Sequence, residues 1–329
     1  MLNIDSFIIF AFIVSVSFRA NGFLLLKKIS DKGVTKMKKA LIGIIATIMA
    51  VTTMFSLTAC QNRTKKDISK ATSVADLEGA KISAQSGTFH EKARDQIKNV
   101  KGQVYKDFDT MFVALNSGAI DGYIAEEPTA LKLSLEHNNI GYLPFVNNQN
   151  GFTATYDDTA IAIGFKKGAD WASRINPILE QISNENRIAL MNQCARVGAN
   201  LENIEKYVVS NDAPATTTGT LKVAMECAYA PFNWTQTDNK NGAVPIYSKG
   251  SEGLFANGFD VQIAKYVANA LGLKLEIYAC EWDSLIPGIK SGTYDLIAAG
   301  MSPTADRRAE VDFTTNYYSS NLVVIYKKA

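Results

Sequence analysis

Five short segments carry side chains able to hold a small charged molecule, and most of them follow an apolar run. They are Ser86-Gly87-Thr88, Glu126-Glu127-Pro128, the stretch 226–232, the stretch 281–287 and the stretch 299–308. Arg307 offers a planar fork of N–H donors suited to a carboxylate. Thr88 follows a glycine and precedes an expected helix start, so it offers a hydroxyl and backbone N–H groups to the same anion. Glu126 is the matching acceptor for an ammonium, helped by the Gly300 carbonyl and the Ser302 hydroxyl. Tyr229 and Trp282 supply two aromatic faces that could sandwich a flat or extended chain or stack on a guanidinium, with Glu226 as an acid beside them. A carboxylate partner, an ammonium partner and a side-chain pocket are what a free amino acid requires. Each group also has an ordinary structural use, the arginine as a surface ion pair and the serine as a helix cap. By the same reasoning Phe232 is expected to pack, and His90 to stand at the pocket edge or, as a lone histidine at a helix start more often does, on the surface.

Other chemistry finds little support. The two histidines, His90 and His137, and the cysteines Cys194, Cys227 and Cys280 have no metal-ligand or CxxC spacing, so no zinc site or disulfide framework is expected. Cys227 and Cys280 follow neighbouring expected strands, so pairing is open, with two free thiols the favoured reading. No catalytic triad, metal cluster or nucleotide loop stands out, and no cofactor or metal is expected. A formal net charge of +2 over 329 residues gives no sign of a nucleic-acid surface.

The elements that must position these residues alternate along the chain. Residues 221–225 read as a short apolar strand. Asp260 is expected to cap a helix with Ile263, Ala264, Val267, Ala268 and Leu271 on one face, ended by Gly272; residues 273–279 then form the next strand. Strand, helix, strand at this spacing is a βαβ unit with parallel strands. A repeat joins the two halves: Asp109, Met111-Phe112, Leu115, Ser117-Gly118, Asp121 and Ile124-Ala125 match Asp283, Leu285-Ile286, Ile289, Ser291-Gly292, Asp295 and Ile297-Ala298. Each copy reads as a capped amphipathic helix, a Ser-Gly stop and a buried strand. Two similar α/β lobes facing each other make a cleft at the carboxyl ends of their strands, where open α/β sheets bind ligands.

The first 59 residues have another character. Met37-Lys38-Lys39, the apolar run 40–55 and Leu57-Thr58-Ala59-Cys60 have the layout of a secretory signal. The Leu-Thr-Ala-Cys ending resembles the bacterial lipoprotein signal, with Cys60 as the residue that would carry the lipid. Residues 1–36 hold a second apolar run, 7–18, and the expected translation start is Met37. Without residues 1–59 the chain keeps 27 Lys and Arg against 30 Asp and Glu, so the basic excess belongs to the export segment. Residues 60–73 then read as a flexible tether.

The series 226–232, 281–287 and 299–308, with Asp312-Phe313-Thr314 and Tyr317-Tyr318, resembles the first lobe of the amino-acid-binding proteins of polar amino-acid ABC importers. Asp76-Leu77-Glu78-Gly79, Ser86-Gly87-Thr88 and Glu126-Glu127-Pro128 resemble the second lobe. The resemblance covers nearly all of residues 74–329. It implies a two-lobed type II periplasmic-binding-protein-like (Venus-flytrap) α/β fold, each lobe a mainly parallel sheet flanked by helices. It also implies the ligand roles given above for Arg307, Thr88, Glu126, Gly300 and Ser302. Relatives that bind basic amino acids have an acid where Glu226 stands, which implies Lys, Arg or His as ligand, with a glutamine-type ligand still open. Implied partners are the permease and ATPase of the importer, and the implied location is extracytoplasmic, held to the bacterial membrane by lipid on Cys60.

The order of the lobes is reversed relative to that family: lobe two at 74–160, then lobe one at 161–329 with a linker at 210–220. This is the pattern of a circular permutation. The expectation is that one hinge strand is cut, that only 160–165 still crosses covalently, and that the segment around Tyr326 pairs beside 74–82 across a looser hinge or in a lobe-swapped dimer. Two other functions share the fold, an enzyme such as a carboxylate dehydratase and a sensory ligand-binding protein. Neither is supported by the residues as a binding protein is.

Overall fold

In the computed structural model, which describes residues 66–328, the alternation expected from sequence builds two main sheets, a small antiparallel sheet and a two-strand connection between the main sheets. Cys60, the expected signal segment and residues 61–65 lie outside the described residues. The chain first forms β1 (Ile82–Ser83), α1 (Phe89–Arg94), α2 (Phe108–Asn116), β2 (Gly122–Glu126), α3 (Glu127–Glu136), β3 (Ile140–Leu143) and the short α4 (Tyr156–Thr159). It crosses through β4 (Ala160–Ile161) into β5 (Gly164–Lys166), α5 (Trp171–Leu179) and α6 (Asn184–Gly198). After an irregular stretch, exposed over most of 212–220, come β6 (Thr220–Met225), the small antiparallel sheet β7 (Ala228–Tyr229), β8 (Asn233–Gln236), β9 (Val244–Pro245) and β10 (Phe255–Asn257), then α7 (Phe259–Ala270) and β11 (Lys274–Ala279). Last are α8 (Leu285–Ser291), β12 (Leu296–Ile297), α9 (Ala305–Glu310), β13 (Val311–Phe313), β14 (Tyr318–Ser319) and β15 (Leu322–Lys327).

The larger sheet has the order β11-β6-β12-β5-β13. β6 runs parallel to β11 and β12, while β5 is antiparallel to β12 and β13. The smaller sheet has the order β1-β2-β15-β3, with β1 parallel to β2 and β15 antiparallel to β2 and β3. Each sheet is therefore parallel except for one strand, and that strand follows directly on a crossing from the other lobe. Leu322, Val323, Val324 and Ile325 are all buried, because β15 is covered on both faces of its sheet.

The crossings correct the expected hinge. β4 and β14 pair antiparallel, Tyr318 opposite Ile161 and Ser319 opposite Ala160. Thr314 and Tyr317 add backbone bonds to Ile163 and Ile161 at 3.0 and 2.8 Å. Both lobe-to-lobe connections are thus covalent and laced to each other. Tyr326 pairs with Gly122 and Gly141, not with 74–82, so residues 322–327 belong to the sheet of the lobe that 74–160 builds. The apolar run Val323-Val324-Ile325 reads equally well as a strand of either lobe, and only the crossing at β14 decides between them.

The described part of the expected tether is also lobe structure. Ile68 is 4% exposed and packs with Leu77, Ile82 and Val324. The Lys66 backbone N–H donates to Asp121 Oδ1 at 3.1 Å. The polar residues that suggested a tether make a cap instead: Asp76 accepts the Thr72 and Ser73 backbone N–H groups at 2.9 Å each.

The repeat survives in three dimensions, with a different cap. α2 and α8 each end at Ser-Gly with the glycine at positive φ (Gly118, +74°; Gly292, +77°). Asp121 accepts the Lys81 N–H at 2.8 Å, and Asp295 accepts the Lys222 N–H at 2.8 Å, so the second aspartate of each copy ties its strand to a neighbour. The cap of α2, however, is Asp107, not Asp109.

Asp260 is corrected in the same way. α7 starts at Phe259 after Gly258, and Asp260 points into the core at 0% exposure. It accepts the Tyr317 hydroxyl at 2.6 Å and the Asn233 amide at 2.9 Å, and burial pushes its carboxyl up to about 7. Tyr317→Phe should lower the unfolding free energy by about 1–3 kcal/mol, since it strips a donor from a buried carboxyl. Urea unfolding should show the lower midpoint with an unchanged slope; an unshifted midpoint would contradict the role given to this bond.

Candidate functional site

The two lobes meet where their parallel strands end. β1 and β2 deliver Gln85, Thr88 and Glu126; β6 and β12 deliver Glu226, Gly300 and Ser302; α9 brings in Arg307. Gln85, Thr88, His90, Glu126, Tyr229, Trp282, Gly300, Ser302 and Arg307 line a common cavity of only about 20 Å³. That is room for about one water and too little for an amino acid. Grooves of about 580 and about 660 Å³ open on its two sides. The first runs between Gly87-Thr88 and Trp282-Asp283, the second between Phe108 and the segment 226–230.

Contacts across the cleft hold it shut. Arg307 donates to the Ser302 carbonyl at 2.9 Å in its own lobe and to the Gly87 carbonyl at 3.2 Å in the other. Its guanidinium lies 5.0 Å over the Trp282 ring. Burial lowers Arg307 to about 10, opposed by the nearby Glu126 and Asp306 carboxylates. It stays charged at neutral pH. Gln85, 2% exposed, donates its amide to the Lys106 carbonyl and to Glu226 Oε1, both at 3.0 Å, and so bridges the lobes. Phe108 stacks on Tyr229 at 4.2 Å and 11°.

Several residues stand differently from their expected roles. The Thr88 hydroxyl is occupied: it caps α1 by accepting the His90 N–H at 3.2 Å and donates to the Gln85 carbonyl at 2.8 Å. Tyr229 is not an exposed wall but is 4% exposed, held between Phe108 and Phe232, with its hydroxyl unpartnered. Gly300 sits at φ +62°, and a Cβ there would come within 3.0 Å of the Tyr229 ring, so glycine is needed for both reasons. Glu226 lines the second groove rather than the common cavity, and the bond from Gln85 links it to the residues of that cavity. Phe232 packs at 0% exposure as expected, and Cys227 and Cys280 are free thiols as read from sequence.

Sequence reasoning missed several members, Asp158 among them. Gln85 immediately precedes Ser86-Gly87-Thr88, and its polar side chain at a strand end was the available signal. His90 is 5% exposed rather than a surface residue, with Nε2 3.0 Å from Glu126 Oε1. Phe108 carried no signal beyond the apolar face of α2. Two carboxylate oxygens in the cleft, Glu126 Oε2 and Glu226 Oε2, are buried without a donor. Burial, with the charges of Asp107, Glu281 and Asp109, pushes Glu226 up to about 7 against the pull of the Gln85 amide. Among the described residues no cluster could hold a metal ion, and no helix is long and apolar enough to cross a membrane.

The raised carboxyls have a consequence for stability. Glu226 and Asp260 hold protons in the fold at pH values where the unfolded chain has released them. Stability from this source is therefore present at low pH and lost as pH rises from about 4 through 7. Denaturant unfolding at pH 5, 6 and 7 should show the decline, and Glu226→Gln should flatten it; an unchanged slope in that variant would contradict the burial of Glu226.

Residues 221–329 match the family of bacterial extracellular solute-binding proteins, family 3. The arginine-binding extracellular protein ArtP of Bacillus subtilis (strain 168) is 34% identical over 100 residues, covering 30% of this chain and 33% of its own. A probable histidine-binding protein of Campylobacter jejuni is 39% identical over 106 residues, covering 32% of this chain and 35% of its own. The chain thus spans about a third of the length of these relatives. A crystal structure of the arginine-bound form of domain 1 from TmArgBP is 28% identical, covers 33% of this chain and 80% of that one, and aligns with a TM-score of 0.25.

Proposed function

We propose that the chain is the extracytoplasmic solute-binding component of an amino-acid ABC importer, and that it closes its two lobes on a basic amino acid. The observation that carries this reading is a mismatch of charge in the cleft. Glu126 keeps a buried oxygen without a donor, in the same cavity as an arginine whose guanidinium is spent on two backbone carbonyls. A zwitterion resolves both: its ammonium meets Glu126, and its carboxylate replaces the carbonyls on Arg307. Glu226, in the adjoining groove, also keeps an oxygen without a donor, and it meets a cationic side chain once the Gln85 bond across the cleft is released. The arginine and histidine for which those two relatives are named support a cationic side chain.

Ligand entry requires the lobes to part. The paired crossings β4 and β14 are the natural hinge, since among the described residues they are what joins the lobes covalently. Binding trades the Arg307–Gly87 and Gln85–Glu226 bonds for bonds to the ligand, so closure without ligand is a competing state. The closed surface is what an importer's permease and ATPase would recognise, with Cys60 carrying the lipid that holds the protein at the membrane. The chain is further read as a circular permutant. Supporting this, Ile68 comes within 3.0 Å of where a Gly122 Cβ would stand, and Gly122 pairs with Tyr326. A chain in the family's order would run from the strand of Tyr326 to Ile68 over a short distance.

Calorimetric titration with the twenty amino acids tests the reading; arginine, lysine or histidine should bind, and no binding by any of them would overturn it. Arg307→Ala should weaken every amino acid by about a hundredfold or more, since it leaves the carboxylate unpaired. Glu226→Gln should weaken cationic ligands by about tenfold or more and spare neutral ones. Equal loss for both classes would contradict the role given to Glu226.

A further inference from the structure

His90 and Glu126 form a buried pair in the cleft. His90 lies in the first turn of α1, and Thr88 holds its backbone N–H, so the ring turns inward. Phe108 meets the ring edge-on at 6.0 Å and 82°. His90 and Glu126 are 5% and 4% exposed, and they are joined by one bond, Nε2 to Oε1 at 3.0 Å. The other polar atom of each, His90 Nδ1 and Glu126 Oε2, has no partner. The groups that face the pair come from four elements. Arg307 of α9 is attracted by the Glu126 carboxylate; Asp260 of α7 is repelled by it and is itself bound to Tyr317 and Asn233. Asp158 of α4 and Tyr229 of β7 line the same cavity.

We propose that His90 is a positioning residue that makes amino-acid capture pH-dependent by setting how much charge Glu126 offers the ligand. A neutral imidazole donates its Nε2–H to Oε1 and leaves Oε2 as an open anion for an ammonium. A protonated imidazole forms an ion pair with the same carboxylate and cancels the charge that the ammonium needs. Two cations then compete for one buried carboxylate. Ligand binds the neutral-His90 form better, so binding must in turn make His90 harder to protonate. The bond to Oε1 also fixes which oxygen faces the cavity. The inference rests on the amino-acid reading above, and its test separates the two.

The experiment is calorimetric titration of the full chain with L-arginine, and with L-glutamine as a second probe, from pH 5.5 to 7.5. Wild-type affinity should fall as pH is lowered from 7.5 to 5.5. His90→Gln keeps a donor to Oε1 but does not titrate. It should lose the His90 part of the slope, read against its own affinity at pH 7.5. Glu226→Gln, run in parallel, removes the separate slope of a carboxyl that titrates near 7; L-glutamine reports the His90 part alone. The chain has two histidines, so His90→Gln also assigns the imidazole NMR signals. Saturating ligand should move the His90 midpoint to lower pH and leave His137 in place. A wild-type slope retained in His90→Gln, or a His90 midpoint unmoved or raised by ligand, overturns the proposal while leaving amino-acid binding intact. No binding by either probe or any other amino acid at pH 7.5 overturns the reading beneath it, and the proposal with it.

Discussion

The antiparallel pair of crossing strands at Ala160–Ile161 and Tyr318–Ser319 is the constraint on which the rest of the molecule depends. Each crossing feeds the next strand into the opposite sheet, β5 into the larger and β15 into the smaller, and in both sheets that strand alone runs against the others. Neither lobe can complete its sheet without chain from the other. The carboxyl ends of the parallel strands are thereby turned toward one another, and the charged residues following them have to share a cleft. A change at the crossing strands would alter the aim of Glu126 and Ser302 before it altered their chemistry.

Within the cleft the balance is between bonds the protein makes to itself and bonds a ligand could make instead. Arg307 and Glu226 each hold one partner across the divide, through Gly87 and Gln85. Glu126 and His90 hold each other and face inward. Charged groups in so dry a place are costly unless paired. Their burial is tolerable because each has one partner, and it is useful because each carboxylate keeps an oxygen to spare. That combination suits reversible capture better than bond-making chemistry.

Much of the architecture was legible in the sequence because it rests on period and punctuation. The helix carrying Ile263, Ala264 and Val267 and its stop at Gly272, the strand at 221–225, the parallel neighbour at 273–279 and the Ser-Gly repeat all depend on local residue patterns. The misreadings have a common cause. Asp260, His90 and Tyr229 are polar or amphipathic residues at element ends, where an exposed cap or wall is the usual outcome. All three are buried because a partner distant in sequence (Tyr317, Glu126 and Phe108, respectively) satisfies or covers them. Assigning the strand at 322–327 to the wrong lobe was a failure of the same kind: its apolar run looks the same in either sheet. Local pattern indicates that a residue or strand is needed; which distant surface it meets is settled by the crossings.

Where a bound amino acid sits decides between capture in this cleft and binding elsewhere. A crystal structure of the chain grown with a bound basic amino acid tests that directly. The account predicts the α-carboxylate on the Arg307 guanidinium, the ammonium at Glu126 Oε2, and the bond from Arg307 to the Gly87 carbonyl released. A ligand seated outside the cleft, or Arg307 still holding both carbonyls with the ligand bound elsewhere, would contradict it.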